Sequence, residues 1–279
     1  MNSRSINPLT RSFVPSSKQV IGEIYKITSD WQACRWLDLV NLLNEQAQKF
    51  APTKALDLGC GTGQRTKQLL SLFPSLEQIT AIDSDQSMIE VACRENSEER
   101  IEYQLCSINN VDSLDLRDID CVSANYSLHW VTEKERLFRS LKSSVCPGAL
   151  FLLGTCSELP PILKTIDTYV LLQFSQRQAT PFFFLNFEQW RHVFHQFGWH
   201  VLACKESRDR HSVKSGYDYL LQWYAASAGK AFYGKALGEF PDSFVDTLLS
   251  NLNEQYGSRQ TPGWEFDEET LLMLATKQQ

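Results

Sequence analysis

The residues of this chain that are best suited to chemistry lie in a glycine-rich stretch from Asp57 to Gln64, which reads DLGCGTGQ. An apolar run ends at this stretch and a helical pattern follows it, which predicts a strand, a tight turn and a helix. Glycine tolerates positive φ and lets a ligand approach the main chain closely. The amides at the start of a helix add donors for polar or anionic groups. We therefore expect a ligand site in the crevice beyond the carboxyl end of this strand.

The spacing of the glycines excludes two common nucleotide sites. A dinucleotide fingerprint, G-x-G-x-x-G, would need a glycine at position 64, where this chain has Gln64. A phosphate-binding P-loop would need G-K-[ST] five residues after its first glycine, and neither Gly59 nor Gly61 provides it. What remains is the pattern D-x-G-x-G-x-G. A second acid, Asp83, follows Gly63 by 20 residues, near the spacing at which an acid reaches a ribose in a βαβ unit.

Composition limits the partners that we expect. The chain has 279 residues, of which 43% are apolar and 22% charged, as in an ordinary globular protein of one domain with an appendage. A net charge of −6 without a basic run predicts no nucleic-acid partner. The eight cysteines include no C-x-x-C pair, which argues against a disulfide framework and predicts no metal site. Since no apolar segment is long enough for a membrane span or a signal peptide, we expect a cytoplasmic protein without a membrane partner.

The elements that must position the glycine turn alternate between strand and helix, the pattern of a parallel sheet. Strands are predicted at 54–58, 78–83, 101–105, 119–124 and 149–153, and the first two are followed by helices at 66–73 and from 84 onward. A capping box, T-x-x-E, at 132–135 predicts the start of the next helix, and Pro147-Gly148 predicts a turn before the fifth strand. A helix at 187–197 precedes a sixth strand at 198–203, and residues 208–213 are predicted to be part of a seventh.

These elements suggest three parts. Residues 1–50 would form an N-terminal helical segment that covers the ligand site. Residues 51–215 would form the ligand-binding core, with a lid insertion at about 157–190. Residues 216–279 would form a C-terminal extension, for which helix is predicted throughout, including an amphipathic helix around 244–252.

The order of these motifs resembles that of the class I S-adenosylmethionine (SAM) methyltransferases over residues 25–213. The resemblance implies an α/β, Rossmann-like fold: a seven-stranded, mostly parallel sheet flanked by helices. It also implies SAM as the cofactor and S-adenosylhomocysteine (SAH) as its product. The residues that it assigns to cofactor binding are Asp57, Gly59, Gly61, Gly63, Asp83, Ser84, Met88, Ser107, Ile108 and Asn125.

The resemblance also implies roles for these residues. Asp57 and the glycines would surround the methionine part of SAM, Asp83 would accept both ribose hydroxyls, and Met88 would contact the adenine. Members of the family commonly have an acid after strand three that binds the adenine amino group, and this chain has Ser107 there. The Ser107 hydroxyl or the Ile108 amide would bond the adenine edge instead. Asn125 would line the reactive end of the cofactor.

A second motif, residues 125–131, reads NYSLHWV and narrows the resemblance. It is similar to the L-H/Q-W block of the trans-aconitate, insect juvenile hormone acid and malonyl-acyl-carrier-protein methyltransferases, which methylate carboxylates. This implies a small-molecule acid as the substrate, oriented by His129 and Trp130, with Gln32 facing the site from the N-terminal helix. A carboxylate is ionised at neutral pH and needs no base. If the acceptor were a hydroxyl, His129 would be the natural base.

Several alternatives stay open from the sequence. The acceptor would otherwise be an acyl thioester on an acidic carrier protein, or a hydroxyl or amine of a natural product. The chain would alternatively bind SAM without catalysis, as a regulatory protein. A set of aromatic residues is expected near the pocket mouth, partly in the core, and favours an apolar acceptor; its members are Phe151, Phe182, Phe183, Phe184, Trp190 and Phe194.

Overall fold

The structure, a computed structural model, describes residue 25 and residues 30–173, 182–213, 241–257 and 263–278. Within these ranges seven strands form one sheet in the order β3-β2-β1-β4-β5-β7-β6. Strands β1 to β5 are parallel, and β7 is antiparallel to both of its neighbours. The predicted seven-stranded, mostly parallel sheet is thus confirmed. The strands are β1 Lys54–Leu58, β2 Gln78–Asp83, β3 Ile101–Leu105, β4 Ile119–Asn125, β5 Val145–Cys156, β6 Trp199–Val213 and β7 Trp264–Lys277.

Helices cover both faces of the sheet, as parallel strands require. The α-helices are α1 Asp30–Asn44, α2 Gln64–Leu72, α3 Gln86–Glu95, α4 Lys134–Leu141, α5 Pro161–Gln173, α6 Phe187–Gln196 and α7 Asp242–Tyr256. Two 3-10 helices, Ile108–Ser113 and Leu128–Trp130, follow β3 and β4. On one face α4 and α6 contribute Phe138 and Phe194 to the core, and on the other α1 and α2 contribute Trp36 and Leu69. No helix among the described residues has the length and apolarity that crossing a membrane requires.

The prediction for the C-terminal part is wrong. Residues 264–277 form β7, which lies between β5 and β6, and residues 208–213 belong to β6 and not to a seventh strand. The core sheet therefore extends beyond the predicted boundary at residue 215. Glutamate, leucine, methionine and alanine dominate this segment and favour helix locally, but pairing with two strands overrides that preference. The helix predicted around 244–252 is present as α7, and residues 214–240 lie outside the described ranges.

Two local predictions are also wrong. Pro147 and Gly148 lie inside β5, where the register against β4 shifts, and they do not precede the strand. The predicted capping box at 132–135 does not form, because α4 starts at Lys134 and its N-cap, Glu133, makes no side-chain cap bond. Lys134 turns inward and donates to the carbonyls of Val131 and Phe183. A capping box is present at the start of α6, between Asn186 and Gln189.

Candidate active site

The glycine turn joins β1 to α2 at the carboxyl edge of the sheet. Gly59, Gly61 and Gly63 have φ values of +76°, +55° and +78°, which glycine adopts without the strain that a side chain brings. The amides of Gly59 and Cys60 both donate to the carbonyl of Ile82, at 2.8 and 2.9 Å. The turn after β1 is therefore fixed to the end of β2.

The three glycines are needed for different reasons. A Cβ at Gly59 would lie 2.4 Å from the Cβ of Ser127, and one at Gly63 would lie 2.5 Å from the hydroxyl of Tyr103. At Gly61 the nearest atom of the described residues would be a ring carbon of Tyr25, at 3.5 Å. Gly59 and Gly63 thus permit close packing inside the protein, whereas Gly61 leaves space on the open side of the turn.

Asp83 connects the turn after β1 with the turn after β2. Its Oδ2 accepts from the amide of Gly61 and its Oδ1 from the amide of Asp85, both at 2.9 Å. Burial raises the pKa of Asp83, and the bonds from the Asp85 and Gly61 amides oppose that rise. Each carboxylate oxygen keeps a further lone pair, so Asp83 can still accept from hydroxyl groups of a ligand. The N-cap of α3 is Asp85, which accepts from the amides of Ser87 and Met88.

Asp57 is a buried acid beneath the same turn. Its Oδ2 accepts from the hydroxyl of Thr66 at 2.6 Å. Burial raises the pKa of Asp57 to about 6, against the opposing hydrogen bond from Thr66, and the nearby charge of Asp83 adds to the rise. Such a carboxylate is stabilised in its ionised form by a positive charge placed beside it.

A small cleft opens between the glycine turn, the end of β4, and Tyr25 and Gln32 of the N-terminal segment. Among the described residues, the side-chain oxygens of Gln32 and Asn125 are buried and have no hydrogen-bond partner. Because buried acceptors are almost always bonded, these two call for donors from a ligand or from water. The residues that line the cleft are Tyr25, Gln32, Asp57, Gly59, Cys60, Gly61, Thr62, Gln64, Arg65 and Asn125.

The cleft therefore fits a ligand that carries a cationic N–H donor group, such as the ammonium of a methionine moiety. It contains a buried acid and two amide oxygens that can accept hydrogen bonds. Of the residues that the sequence assigned to the site, the structure brings Gln32, Asp57, Gly59, Gly61 and Asn125 together in this cleft.

Of the other assigned cofactor residues, Gly63 ends the glycine turn as the N-cap of α2, and the rest lie around the turns after β2 and β3. Ser84 is exposed and Met88 is buried on α3. The Ser107 hydroxyl accepts from the amide of Asn109 at 3.3 Å as the N-cap of the first 3-10 helix, and its proton stays available for donation. Ile108 lies beside the glycine turn, since a methyl group of its side chain would be 3.5 Å from a Cβ at Gly59.

His129 and Trp130 lie on the 3-10 helix after β4 but are not part of the lining of the cleft. The His129 ring is buried against Trp130, Phe182 and Phe184, with centroid distances of 5.5, 5.4 and 5.7 Å. Burial, with a smaller effect of the Lys134 charge, lowers the pKa of His129 to about 3. The imidazole is therefore neutral at pH 7 and offers one donor and one acceptor.

A short segment at 182–186 covers this histidine. The Phe183 amide donates to the carbonyl of His129 at 2.7 Å, and Lys134 donates to the carbonyl of Phe183. No pattern in the sequence points to Lys134, because the Phe183 carbonyl that it binds lies 49 residues away. Of the expected aromatic set, Phe151, Trp190 and Phe194 are fully buried in the core.

Comparison with known proteins agrees with this geometry. Residues 56–153 match a family model described as a methyltransferase domain. A malonyl-[acyl-carrier protein] O-methyltransferase of Bacillus cereus is 29% identical over 118 residues, which is 42% of each chain. A second one, from Ilyobacter polytropus, is 28% identical over 171 residues, which is 59% of this chain and 61% of the relative. The chain thus matches less than two thirds of the length of these relatives.

Solved structures share the fold at low identity. A loganic acid methyltransferase with bound SAH superposes with a TM-score of 0.62 at 12% identity, over 95% of this chain and 98% of the other. The YcgJ protein of Bacillus subtilis gives a TM-score of 0.54 at 16% identity, over 87% and 99%. The [4+2]-cyclase SpnF gives 0.50 at 19% identity, over 96% and 99%. Residues 56–153, which contain the glycine turn, Asp83 and Asn125, therefore match a methyltransferase domain, the described sheet has the fold of a solved methyltransferase, and the comparisons support SAM as the cofactor.

Proposed function

We propose that this chain transfers a methyl group to the carboxylate of a small-molecule acid. The observation that supports the site most directly is the cleft in which buried Asp57 faces the same space as the unpartnered oxygens of Gln32 and Asn125. When bound, SAM supplies a methyl group that its sulfonium activates. Asp57, Gly61 and Asn125 would hold the methionine part, and Asp83 the ribose.

A carboxylate acceptor agrees with the state of His129. A carboxylate loses no proton during methylation, so the site needs a donor that orients it and excludes water rather than a base. With a pKa of about 3, His129 is a poor proton acceptor and remains a neutral donor. The two malonyl-[acyl-carrier protein] O-methyltransferases support the same chemistry by name.

The same names favour a second candidate, an acceptor carried by an acyl-carrier protein. The two candidates differ in what holds the acceptor, because a carrier-bound acid needs a docking surface and a free acid does not. The SpnF structure shows that this fold also occurs in a protein named as a cyclase. The acceptor therefore has to be tested directly.

The test is label transfer from methyl-labelled SAM to a panel of acceptors. The panel contains aliphatic, terpenoid and polycarboxylic acids, the matching alcohols and amines, and malonyl-acyl-carrier protein. We expect base-labile label, a methyl ester, on at least one free acid. Label only on the carrier-bound acid would favour the second candidate. Tight SAM binding without label on any acceptor would contradict the enzymatic proposal and favour a regulatory protein.

Replacing His129 by glutamine separates donation from base catalysis. If His129 only donates to the acceptor, His129→Gln should keep turnover within about tenfold, because glutamine also donates. His129→Phe keeps an aromatic ring against Phe182 and Phe184 but removes the donor. Its turnover should be roughly ten- to a hundredfold lower than that of His129→Gln. Both rates are measured on the best acid of the panel. A loss beyond about a hundredfold in His129→Gln would instead indicate a general base.

The pKa of Asp57 predicts how cofactor binding depends on pH. Asp57 takes up a proton as the pH falls through about 6, and an ammonium group is bound by the ionised form. Below pH 6 the affinity for SAH should therefore fall by about tenfold per pH unit, and between pH 7 and 8 it should be nearly constant. Calorimetry from pH 5 to 8 measures this. Asp57→Asn should bind more weakly at pH 7.5 and lose the dependence; a wild-type affinity that stays flat down to pH 5 would refute this role of Asp57.

A further inference from the structure

A buried carboxylate that the proposed reaction does not use lies on β7. Glu268 is only 1% exposed. Its Oε2 accepts from the hydroxyl of Tyr126 at 3.2 Å and lies 3.1 Å from Nε2 of His211 on β6. A buried charge costs several kcal/mol unless it is paired, so packing alone would favour an apolar residue here. The position calls for a role beyond packing.

Tyr126 connects this carboxylate to the cleft. It directly follows Asn125 and has a φ of +55°, one of two positive values among the non-glycine residues that the structure describes. Such a conformation costs on the order of 1–3 kcal/mol for a bulky residue, and it persists only where surrounding contacts impose it. Here the contacts are the bond from the Tyr126 amide to the Gly154 carbonyl at 2.7 Å and the bond from its hydroxyl to Glu268. Burial raises the pKa of Tyr126 well above its usual range, so the hydroxyl keeps the proton that it donates.

The conformation of this turn sets the direction of the Asn125 side chain. The Asn125 amide lies over Gly154, where a Cβ would be 2.6 Å from Oδ1. Oδ1 is one of the two unpartnered buried oxygens at the cleft. The residue after Tyr126 is Ser127, whose hydroxyl donates to the carbonyl of Leu58 and whose side chain packs on Gly59. A shift of the turn would therefore move both Asn125 and the glycine turn.

Strand β6, the neighbour of β7, also contacts α1, the helix that carries Gln32 and its unpartnered oxygen. Arg35 lies three residues after Gln32 on α1, and its guanidinium bonds Asp209 of β6 and Asp38. Pairing between β5 and β7 ends at Cys156 and Thr270, whereas β6 and β7 stay paired as far as Val213 and Trp264. The part of the β6–β7 pair that extends beyond β5, residues 208–213 and 264–269, thus contacts both elements that bring buried oxygens to the cleft.

We propose that Tyr126 and Glu268 are positioning residues of the cofactor site. Glu268 holds the Tyr126 hydroxyl, which keeps the turn after β4 in its left-handed conformation and aims Asn125 Oδ1 into the cleft. The ring of His211 lies against the same carboxylate, with its Nε2 3.1 Å from Oε2 of Glu268. The inference rests on the proposed function, since it takes the cleft as the place where SAM and SAH bind.

The test is the affinity for SAH, measured by calorimetry without any acceptor. Tyr126→Phe and Glu268→Met should each weaken SAH binding by about tenfold. Glu268→Gln should stay within about threefold of the wild type, because its amide oxygen can still accept from Tyr126. The control is Tyr256→Phe, which removes a hydroxyl bonded to Pro161 and Thr165 on the α5–α7 contact. It should leave SAH affinity unchanged.

A thermodynamic cycle with Asn125→Ala separates positioning from general stability. If Tyr126 acts through Asn125, Tyr126→Phe should cost no further SAH affinity once Asn125 is alanine. An equal loss in both backgrounds would overturn the inference, as would wild-type affinity in both Tyr126→Phe and Glu268→Met. Either result leaves the proposed function intact if the wild type binds SAH. A wild type that does not bind SAH overturns the proposed function and the inference with it.

Discussion

Replacing Asp83 by alanine should raise the Kd for SAH by at least about a hundredfold. The carboxylate would accept hydroxyl groups of the ribose with its free lone pairs, and hydrogen bonds to a charged group are worth about 1.5–3 kcal/mol each. Two such bonds correspond to a hundredfold or more. The substitution also releases the amide of Gly61, which lies on the wall of the cleft. Calorimetry with SAH measures the loss.

A control two residues away tests whether the loss is specific. Asp85→Ala removes the N-cap of α3 and should cost about 1 kcal/mol of stability. It leaves the Asp83 carboxylate in place, so SAH affinity should change by no more than a few fold. If Asp83→Ala bound SAH as tightly as the wild type, the ribose could not be at Asp83. A similar loss in both variants would instead point to a general loosening of the turn after β2.

The parts of the fold that could be predicted are those with local signals. The strands 54–58, 78–83 and 101–105 have the predicted bounds, because each is a short segment bounded by turn or loop residues. The glycine turn could be recognised because its motif consists of consecutive residues. The assignment of Asp83 to ribose binding could be predicted from its spacing of 20 residues after Gly63. These predictions needed no knowledge of what packs against them.

The parts that could not be predicted depend on contacts between distant residues. Strand β7 has a helical composition and becomes a strand only by pairing with β5 and β6. No pattern in the sequence singles out Glu268, although it is buried against Tyr126, 142 residues away. The predicted capping box at 132–135 failed for the same reason, since Lys134 binds a carbonyl of the segment that covers His129. The sequence predicted a role for His129 but not the aromatic residues that bury its ring, and this burial lowers its pKa.

Alanine substitutions at Gly59 and Gly61 should have very different effects on the stability of the protein. Gly59→Ala should unfold or strongly destabilise the protein, by at least about 3 kcal/mol. The new Cβ would lie 2.4 Å from the Cβ of Ser127, an atom that moves only with its backbone. Gly61→Ala has the same unfavourable sign of φ, but among the described residues its Cβ meets only a ring carbon of Tyr25, at 3.5 Å. It should fold with a loss of about 1–2 kcal/mol.

The two variants should therefore separate stability from binding. Thermal unfolding should show a Tm at least about 6 °C lower for Gly59→Ala, and a small change for Gly61→Ala. SAH affinity should show the reverse, because the methyl group of Gly61→Ala enters the cleft where the ligand has to approach the main chain. Ser127→Gly removes the opposing Cβ, so adding it to Gly59→Ala should restore part of the lost Tm. Equal losses of Tm in the two alanine variants, or no restoration by Ser127→Gly, would mean that positive φ and not the contact with Ser127 requires glycine at position 59.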